Sequence, residues 1–211
     1  SGPTRTDTVN GTTVWRVAPS LNIASQDICF SYCRYLRKVC REYDPDIAII
    51  HCPNPFVYPI AMSILPAHCK KILLWHSDIL TKGILYKAIK PFETSALKKS
   101  DLILATSPNY IDPSSPIYRY REKVKVLQNG MIATDFDLRD GDAERIAAIR
   151  ATYGNRKLIL FVGRHIPYKG IDKLIEASQY ITSDCRILIA GRGPETERLK
   201  ALAAGNDRIV F

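Results

Sequence analysis

The hydrophobic and polar positions of the first half predict short buried strands alternating with helices. Apolar residues recur at helical spacing over 27–42, and the segment 14–17 alternates as a strand does. Two further segments, 56–65 and 85–99, also have helical spacing. Unbroken apolar runs of strand length lie at 47–50, 72–75 and 102–105, and a further strand is predicted at 124–127. Strands that are apolar without alternation are typical of a parallel sheet that is buried on both faces.

The same alternation begins again after Gly141. Asp142 is expected to cap a helix that ends at Gly154 and Asn155, and Pro194 is expected to begin another. Helices are predicted at 142–153, 171–180 and 194–204, and strands at 158–162, 186–190 and 209–211. Residues 133–140 show neither pattern, so they are expected to join two sheets. We therefore predict an α/β protein with two domains, 1–137 and 138–211.

Five polar residues stand where the predicted strands end: His51, His76, Ser107, Arg164 and Arg192. Ligands of open parallel sheets bind beyond the carboxyl ends of the strands. A cleft between the two predicted sheets is therefore the expected site.

The segment 161–170 carries the strongest chemical signal. An apolar run ends at Gly163, Arg164 follows at once, and Lys169 opens the next amphipathic segment. A strand, a tight turn and a helix N-terminus favour a bound anion, because backbone N–H groups and the helix dipole point toward it. Arginine adds a fork of donors suited to phosphate, and lysine adds a mobile charge. The alternative is that both cations are solvated loop residues.

The net charge of +9 indicates an anionic partner: nucleic acid, an anionic membrane or a phosphorylated metabolite. Basic residues cluster in two segments, although a solvated helix face would give the same pattern. They are Arg34, Arg37, Lys38 and Arg41, and Lys82, Lys87, Lys90, Lys98 and Lys99. No aromatic-rich RNA motif, zinc finger or basic heptad region accompanies them, which disfavours nucleic acid. The apolar runs are far shorter than the ~20 residues of a membrane span, and no secretion signal opens the chain.

The six cysteines predict free thiols in a reducing cytosol. They lie in apolar segments without a CxxC pair, and free cysteine behaves as a small hydrophobe. Cys29, Cys33 and Cys40 fall on one side of the helix predicted at 27–42, but a zinc site there would lack a fourth ligand.

In combination, the motifs resemble those of retaining, nucleotide-sugar-dependent glycosyltransferases of family 4. The matching pieces occur in the order of that family, which makes the set more specific than any single piece. They lie at 45–47, 51–55, 75–79, 100–101, 105–110, 123–126, 129–130, 161–170 and 191–195. The resemblance implies the GT-B fold, with two Rossmann-like domains. The amino-terminal domain would face the acceptor, and the carboxy-terminal domain would bind the donor.

The resemblance also implies roles for the donor-side residues. Arg164 and Lys169 match the cations that bind the diphosphate of the donor and stabilise it as it leaves. Gly163 matches a turn glycine that lets the backbone approach the ligand, and Gly191 and Gly193 match the turn under the nucleotide. Arg192 is expected either to contact phosphate or base or to remain in solvent.

On the amino-terminal side, His76 matches a histidine that faces the transferred sugar, with a structural strand-end histidine as the alternative. Ser77 and Asp78 are expected to shape the same loop, with Asp78 as a helix cap. No protein nucleophile is established in the family. The sequence contains no obvious Ser-His-Asp set or carboxylate pair, in contrast with ordinary glycosidases.

The implied reaction moves a hexose, with retention, from a UDP- or GDP-sugar to a glycan or a polyprenyl- or other lipid-linked acceptor. The implied setting is polysaccharide biosynthesis by a cytoplasmic enzyme, peripheral at the inner face of the cell membrane. The nucleotide sugar is a substrate, and the resemblance implies neither a metal nor another cofactor.

Several departures from the family are visible. Its first strand and glycine-rich loop would precede this chain, and its two late glutamates would follow Phe211. Gln128 stands where proline is common, and Met131-Ile132 replaces the usual Ile-Asp. Both domains are therefore expected to be incomplete, and the chain alone to be inactive. Two other functions remain open: a GT-B-fold sugar-nucleotide epimerase and a non-catalytic anion-binding module.

Overall fold

The chain folds into two compact units, Ser1–Met131 and Ile132–Phe211. The structure, a computed structural model, describes residues 3–23, 26–79, 84–154 and 156–211. Lys82 and Asn155 of the sequence-based predictions lie outside these residues. The predicted domain boundary at 137/138 stays a prediction. A 3₁₀ turn, Ala133–Phe136, occupies part of the segment expected to join the two sheets.

The first unit is built on a parallel sheet of four strands. Its strands are β5 (Ile47–Cys52), β6 (Lys70–Trp75), β7 (Leu102–Ala105) and β8 (Val124–Val126), in that spatial order. Its helices are α1 (Tyr32–Tyr43), α2 (Val57–Ile64) and α3 (Ile84–Lys99). The parallel sheet and its alternating helices confirm the predicted α/β class.

Two antiparallel hairpins precede this sheet. They are β1 (Arg5–Val9) with β2 (Thr12–Arg16), and β3 (Leu21–Ile23) with β4 (Gln26–Ile28). Asn10 and Gly11 both have positive φ, 49° and 77°, at the turn between β1 and β2. Asn-Gly is the preferred pair for such a two-residue hairpin turn.

The second hairpin corrects the predicted helix at 27–42, which begins only at Tyr32. Ser20 donates its backbone N–H to Ile28 O at 2.8 Å, so hairpin bonds take the backbone groups that a helix would need. Cys29 therefore lies before α1, where its thiol donates to Ala18 O at 3.0 Å. The prediction that Cys29 shares a helix face with Cys33 and Cys40 was therefore wrong.

The core of the first unit lies on one face of the sheet. Five of its side chains are wholly inaccessible: Leu73, Trp75, Ile103, Ala105 and Ile117. The prediction that 47–50 is buried throughout was wrong. Ile50 is buried, but Ile47 and Ile49 are 59% and 55% exposed, because alternate residues of a strand point to opposite faces.

The second unit is built on a three-stranded parallel sheet in the order β11-β10-β9. The strands are β9 (Lys157–Val162), β10 (Cys185–Ala190) and β11 (Ile209–Val210). The helices are α4 (Asp142–Tyr153), α5 (Ile171–Ser178) and α6 (Thr196–Leu202). One core packs β10 against α5 and α6, through Ile171, Ile175, Cys185, Ile187, Ile189, Leu199 and Ala203.

β9 is an edge strand of this sheet, and its outer face is open. Leu160 and Val162 are 64% and 71% exposed, so the prediction of a buried strand at 158–162 was wrong for these two residues. Their neighbours Ile159 and Phe161 pack against the core, as the alternation of a strand requires.

The helix ends of the second unit differ slightly from prediction. Gly141, with φ of 85°, is the N-cap of α4, and Asp142 instead accepts the backbone N–H of Arg139 at 2.9 Å. Lys169 ends a 3₁₀ turn that begins at Pro167, so it precedes α5 and does not open it. Pro194 likewise precedes α6 by two residues. Within the part of the chain that the structure describes, no helix is long and apolar enough to cross a membrane.

The packing of the first core can be tested by shortening one buried and one exposed side chain of the same sheet. We expect Ile103→Ala to lower the free energy of unfolding by about 2–5 kcal/mol, because it leaves a cavity in a closed core. Ile49→Ala, in the same sheet but more than half exposed, should cost less than about 1 kcal/mol. Urea unfolding followed by circular dichroism measures both, and equal losses would contradict the described core.

Candidate functional site

The loops that follow β9 and β10 continue the pairing of the two strands. Gly163 donates its backbone N–H to Ala190 O at 3.0 Å, and His165 donates to Arg192 O at 3.2 Å. The two loops therefore leave the sheet side by side at its carboxyl edge. The segment 163–165 and the segment 191–193 form one backbone surface at that edge.

Two glycines make this close approach sterically acceptable. Gly191 has φ of 139°, and a Cβ built on it would lie 1.9 Å from Gly163 O. A Cβ on Gly193 would lie 2.4 Å from His165 O. Both positions therefore need glycine for backbone contact alone. A Cβ on Gly163 would meet only the Phe161 ring, at 3.2 Å.

His165 is buried between the two loops at 1% exposure. Its Nδ1 lies 2.9 Å from Thr196 Oγ1, which also accepts the Gly193 N–H at 2.9 Å and donates to Gly193 O at 2.8 Å. Because the hydroxyl hydrogen serves Gly193 O, His165 Nδ1 is the donor to Thr196. His165 Nε2 is then a buried acceptor without a partner among the described residues. His165 thus links the two loops.

The prediction made from the sequence included the segment 161–170 but assigned no role to His165. The available signal was its place one residue after Arg164, where a side chain must point back into the sheet edge if the arginine points out.

Two cations within these loops and a third that follows the first loop have no acidic partner among the described residues. Arg164, Lys169 and Arg192 are all exposed. Among the described residues, no Asp or Glu forms an ion pair with any of them, whereas Arg198 pairs with Glu195 nearby. The Lys169 ammonium lies 5.7 Å from the centroid of the Tyr168 ring. Uncompensated positive charge at the carboxyl edge of the sheet favours an anionic ligand.

In the first unit, the carboxyl edge of the sheet brings two histidines together. His76 directly follows β6 and donates its backbone N–H to Cys52 O at 3.0 Å. His51 Nδ1 lies 2.9 Å from His76 Nε2, and the two rings are nearly parallel with centroids 5.0 Å apart. The sequence placed both histidines at strand ends but did not pair them.

Asp78 ties the loop after β6 to the core. Its Oδ1 accepts the Trp75 indole N–H at 2.7 Å and the Ser115 hydroxyl at 3.0 Å. Through both bonds the Asp78 carboxylate anchors the loop, which is a different role from the predicted helix cap. Ser77 lies half-buried between His76 and Asp78, and Ser107 caps a 3₁₀ turn by accepting the Asn109 N–H at 3.2 Å.

A cavity of about 580 Å³ opens beside Asp78, between α3 and the segment 113–120. Glu93 lies beneath its wall at 1% exposure, and its Oε1 accepts the Tyr86 hydroxyl at 3.0 Å. Burial raises the pKa of Glu93, and burial together with Glu93 raises the pKa of Tyr86 to about 12. Sequence reasoning missed Glu93, although it is the one acidic residue of α3.

Family models cover nearly the whole chain. The model of Glycosyltransferase Family 4 matches residues 4–133, and that of Glycosyl transferases group 1 matches residues 142–207. The O-antigen chain mannosyltransferase C of Escherichia coli is 34% identical over 170 residues, which are 80% of this chain and 44% of that protein. The D-rhamnosyltransferase WbpZ of Pseudomonas aeruginosa is 30% identical over 194 residues, 92% of this chain and 49% of that protein. The chain thus spans less than half the length of these relatives.

Solved structures show the same fold at low identity. A glycosyltransferase from Rickettsia africae superposes with a TM-score of 0.59 at 19% identity, over 93% of this chain and 53% of that one. HepE from Anabaena, in complex with UDP, gives a TM-score of 0.62 at 16% identity, over 85% and 50%. These likenesses, with the two parallel sheets, confirm the predicted GT-B class.

The close contact between the two loops predicts how much stability is lost when Gly191 is replaced. We expect Gly191→Ala to destabilise the protein by about 2–5 kcal/mol, because overpacking of ~1–3 kcal/mol adds to backbone strain of ~1–2 kcal/mol. Gly205→Ala is the matched control, since Gly205 also has positive φ, 82°, but its Cβ would meet nothing within 4 Å. It should cost only the strain. Thermal unfolding compares the two, and similar costs would contradict the described loop contact.

Proposed function

Because the chain belongs to glycosyltransferase family 4, we propose that the protein moves a hexose from a nucleotide-diphosphate sugar to a glycan or lipid-linked acceptor. The transfer retains the configuration of the anomeric carbon, and its products enter cell-surface polysaccharide. Two relatives named for mannosyl and rhamnosyl transfer, one of them in O-antigen synthesis, support this class of product. The second unit binds the donor, and the first unit faces the acceptor.

The observation that carries this proposal is the set of uncompensated cations beside the glycine loops. The diphosphate gains negative charge as the glycosidic bond to the donor breaks. Arg164 and Lys169 stabilise that charge, since fixed cations act more strongly on a charge that develops during the reaction. Gly191, against Gly163, and Gly193 let the two loops pack closely enough to bring Arg164 and Arg192 to one edge of the sheet. The UDP in the HepE structure supports a nucleotide ligand for this fold.

His76 is the proposed catalytic residue on the acceptor side. It stands at the carboxyl edge of β6, where open parallel sheets place their ligands. It hydrogen-bonds a hydroxyl of the transferred sugar, and Ser77 and Asp78 hold the loop that presents it. The bonds of Asp78 to Trp75 and Ser115 give this loop a fixed attachment to the core. The reaction as proposed uses no metal or other cofactor.

Binding of nucleotide diphosphate tests the donor site. We expect Arg164→Ala to weaken UDP or GDP binding by about 10- to 100-fold in calorimetry, because a charge-assisted hydrogen bond contributes ~1.5–3 kcal/mol. Lys169→Ala should weaken it to a smaller degree, since lysine binds phosphate as a point charge.

Lys173→Ala is the control for loss of one positive charge. Lys173 is exposed on α5 and paired with Glu176 at 2.8 Å, so its removal should change affinity less than about twofold. Equal losses of affinity in Arg164→Ala and Lys173→Ala would show that net charge alone explains the weaker binding. Undiminished binding by Arg164→Ala would refute the donor site.

We further propose that the first unit binds an anionic membrane surface at the cytoplasmic face. Arg34, Arg37, Lys38 and Arg41 occupy positions i, i+3, i+4 and i+7 of α1, so they share one helix face. All four are exposed, and none forms an ion pair within the described ranges. Four exposed lysines of α3, Lys87, Lys90, Lys98 and Lys99, add to the positive charge of the unit.

Vesicle binding tests this surface. Replacing Arg37 and Arg41 by Glu should weaken binding to phosphatidylglycerol vesicles by at least about tenfold, since each basic residue near such a surface contributes ~1 kcal/mol. Binding of the unchanged chain should fall steeply with salt. Replacing Lys173 and Lys200 by Glu, in the second unit, changes the net charge equally and should have little effect. Binding that ignores salt, or equal losses in both variants, would refute the α1 surface.

A further inference from the structure

His51 has no role in the proposed reaction, but its contact with His76 indicates one. We propose that His51 is a positioning residue, which holds His76 in its Nε2–H tautomer and leaves His76 Nδ1 as a hydrogen-bond acceptor. The role of His76 toward the sugar rests on the proposed function. The tautomer itself rests on the geometry of the two rings and on the intrinsic preference of a neutral imidazole.

The backbone of the sheet fixes the contact. In the register of β5 and β6, Cys52 pairs with Trp75, and the next bond runs from His76 N–H to Cys52 O at 3.0 Å. His51 therefore stands one step before this pair and His76 one step after it. The side chain of His51 lies on the open face of β5, the face that also carries Ile47 and Ile49. There its ring lies nearly parallel to that of His76, at an interplanar angle of 20°.

A single hydrogen must lie between His51 Nδ1 and His76 Nε2, which are 2.9 Å apart. A neutral imidazole has one N–H and one acceptor nitrogen, so two arrangements satisfy the contact. In the first, His51 donates from Nδ1, and both rings carry their hydrogen on Nδ1. In the second, His76 donates from Nε2, and both rings carry their hydrogen on Nε2.

The second arrangement is favoured because the neutral histidine side chain intrinsically prefers the Nε2–H tautomer. Both rings then adopt their preferred form, whereas the first arrangement needs the less stable form twice. The hydrogen bond made by one ring nitrogen sets the state of the other, so His76 Nδ1 is left with a free lone pair. His76 accordingly accepts a hydrogen bond from a hydroxyl donor of the sugar.

This orientation has a consequence for substrate choice. A buried or oriented acceptor discriminates against a ligand that lacks the matching donor. The sugar hydroxyl that faces His76 must therefore be free, and a deoxy or O-methyl sugar at that position would lose the contact. A histidine with free choice of tautomer would tolerate either a donor or an acceptor there.

Nuclear magnetic resonance of ¹⁵N-histidine-labelled chain tests the tautomer directly. The chain has four histidines, so the ring signals are few, and His76→Asn assigns the one of interest. We expect His76 to show the Nε2–H pattern without exchange. His51→Leu removes the acceptor and should convert His76 to an averaged mixture of tautomers. His51→Asn, whose side-chain oxygen occupies the place of Nδ1, should restore the fixed pattern.

His68→Leu is the matched control, because His68 lies in the same unit and pairs with Asp44 at 3.4 Å. It should leave the His76 signals unchanged. An Nδ1–H pattern for His76 in the unchanged chain would overturn the proposal. So would a His76 spectrum that does not respond to His51→Leu.

Activity of the full-length protein separates this role from a merely structural one. His51→Leu should lower turnover of a sugar nucleotide about fivefold, the equivalent of one ordinary hydrogen bond, and His51→Asn should recover most of it. Affinity for UDP or GDP without sugar should not change in either variant. Loss of turnover that His51→Asn does not rescue would overturn the positioning role. Failure of the unchanged protein to bind any nucleotide would refute the proposed function while leaving the tautomer result intact.

Discussion

The parallel register of β9 and β10 is the constraint on which the proposed donor site depends. Val162 pairs with Ala190, so the next residues along both strands are Gly163 and Gly191. Their backbones meet so closely that a side chain on Gly191 would overlap Gly163 O. A slip of one residue would place a side chain at this contact and turn the strand faces over. The positions of Arg164 and Arg192 therefore follow from strand pairing, without any contact made by the arginines themselves.

Each unit carries its candidate residues at the carboxyl edge of its own sheet, but the chemistry at the two edges differs. In the second unit, the backbone of two loops forms the surface, and His165 holds the loops together from beneath through Thr196. Cations without acidic partners lie around that surface. In the first unit, the edge presents side chains, with His51 against His76 and Asp78 anchoring the loop. A charged ligand group and a neutral hydroxylated group would find suitable partners in the second and the first unit, respectively.

The sequence predicted most strands and helices because apolar runs and turn residues agreed along the chain. The strand 102–105 was predicted without error, and α2 and β6 differ by one or two residues at an end. Burial of alternate residues in β5 and β9 could not be predicted, since an unbroken apolar run does not reveal which face is covered. The start of α1 was missed because the hairpin bonds come from residues distant along the chain, such as Ser20. His165 and the His51–His76 contact required the register between strands, which a single sequence does not contain.

The open edge of β9 affects how this chain behaves in solution. Its six residues include one charge, Lys157 at the first position, and its later outward residues are Leu160 and Val162. Edge strands usually carry charges, prolines or bulges that prevent pairing with another chain, and β9 has no such protection beyond its start. A second copy of the strand can extend the sheet through backbone bonds while its apolar side chains cover one another. We therefore expect the 211-residue chain taken alone to self-associate through β9 as concentration rises, and a charged residue at position 160 or 162 to suppress this association.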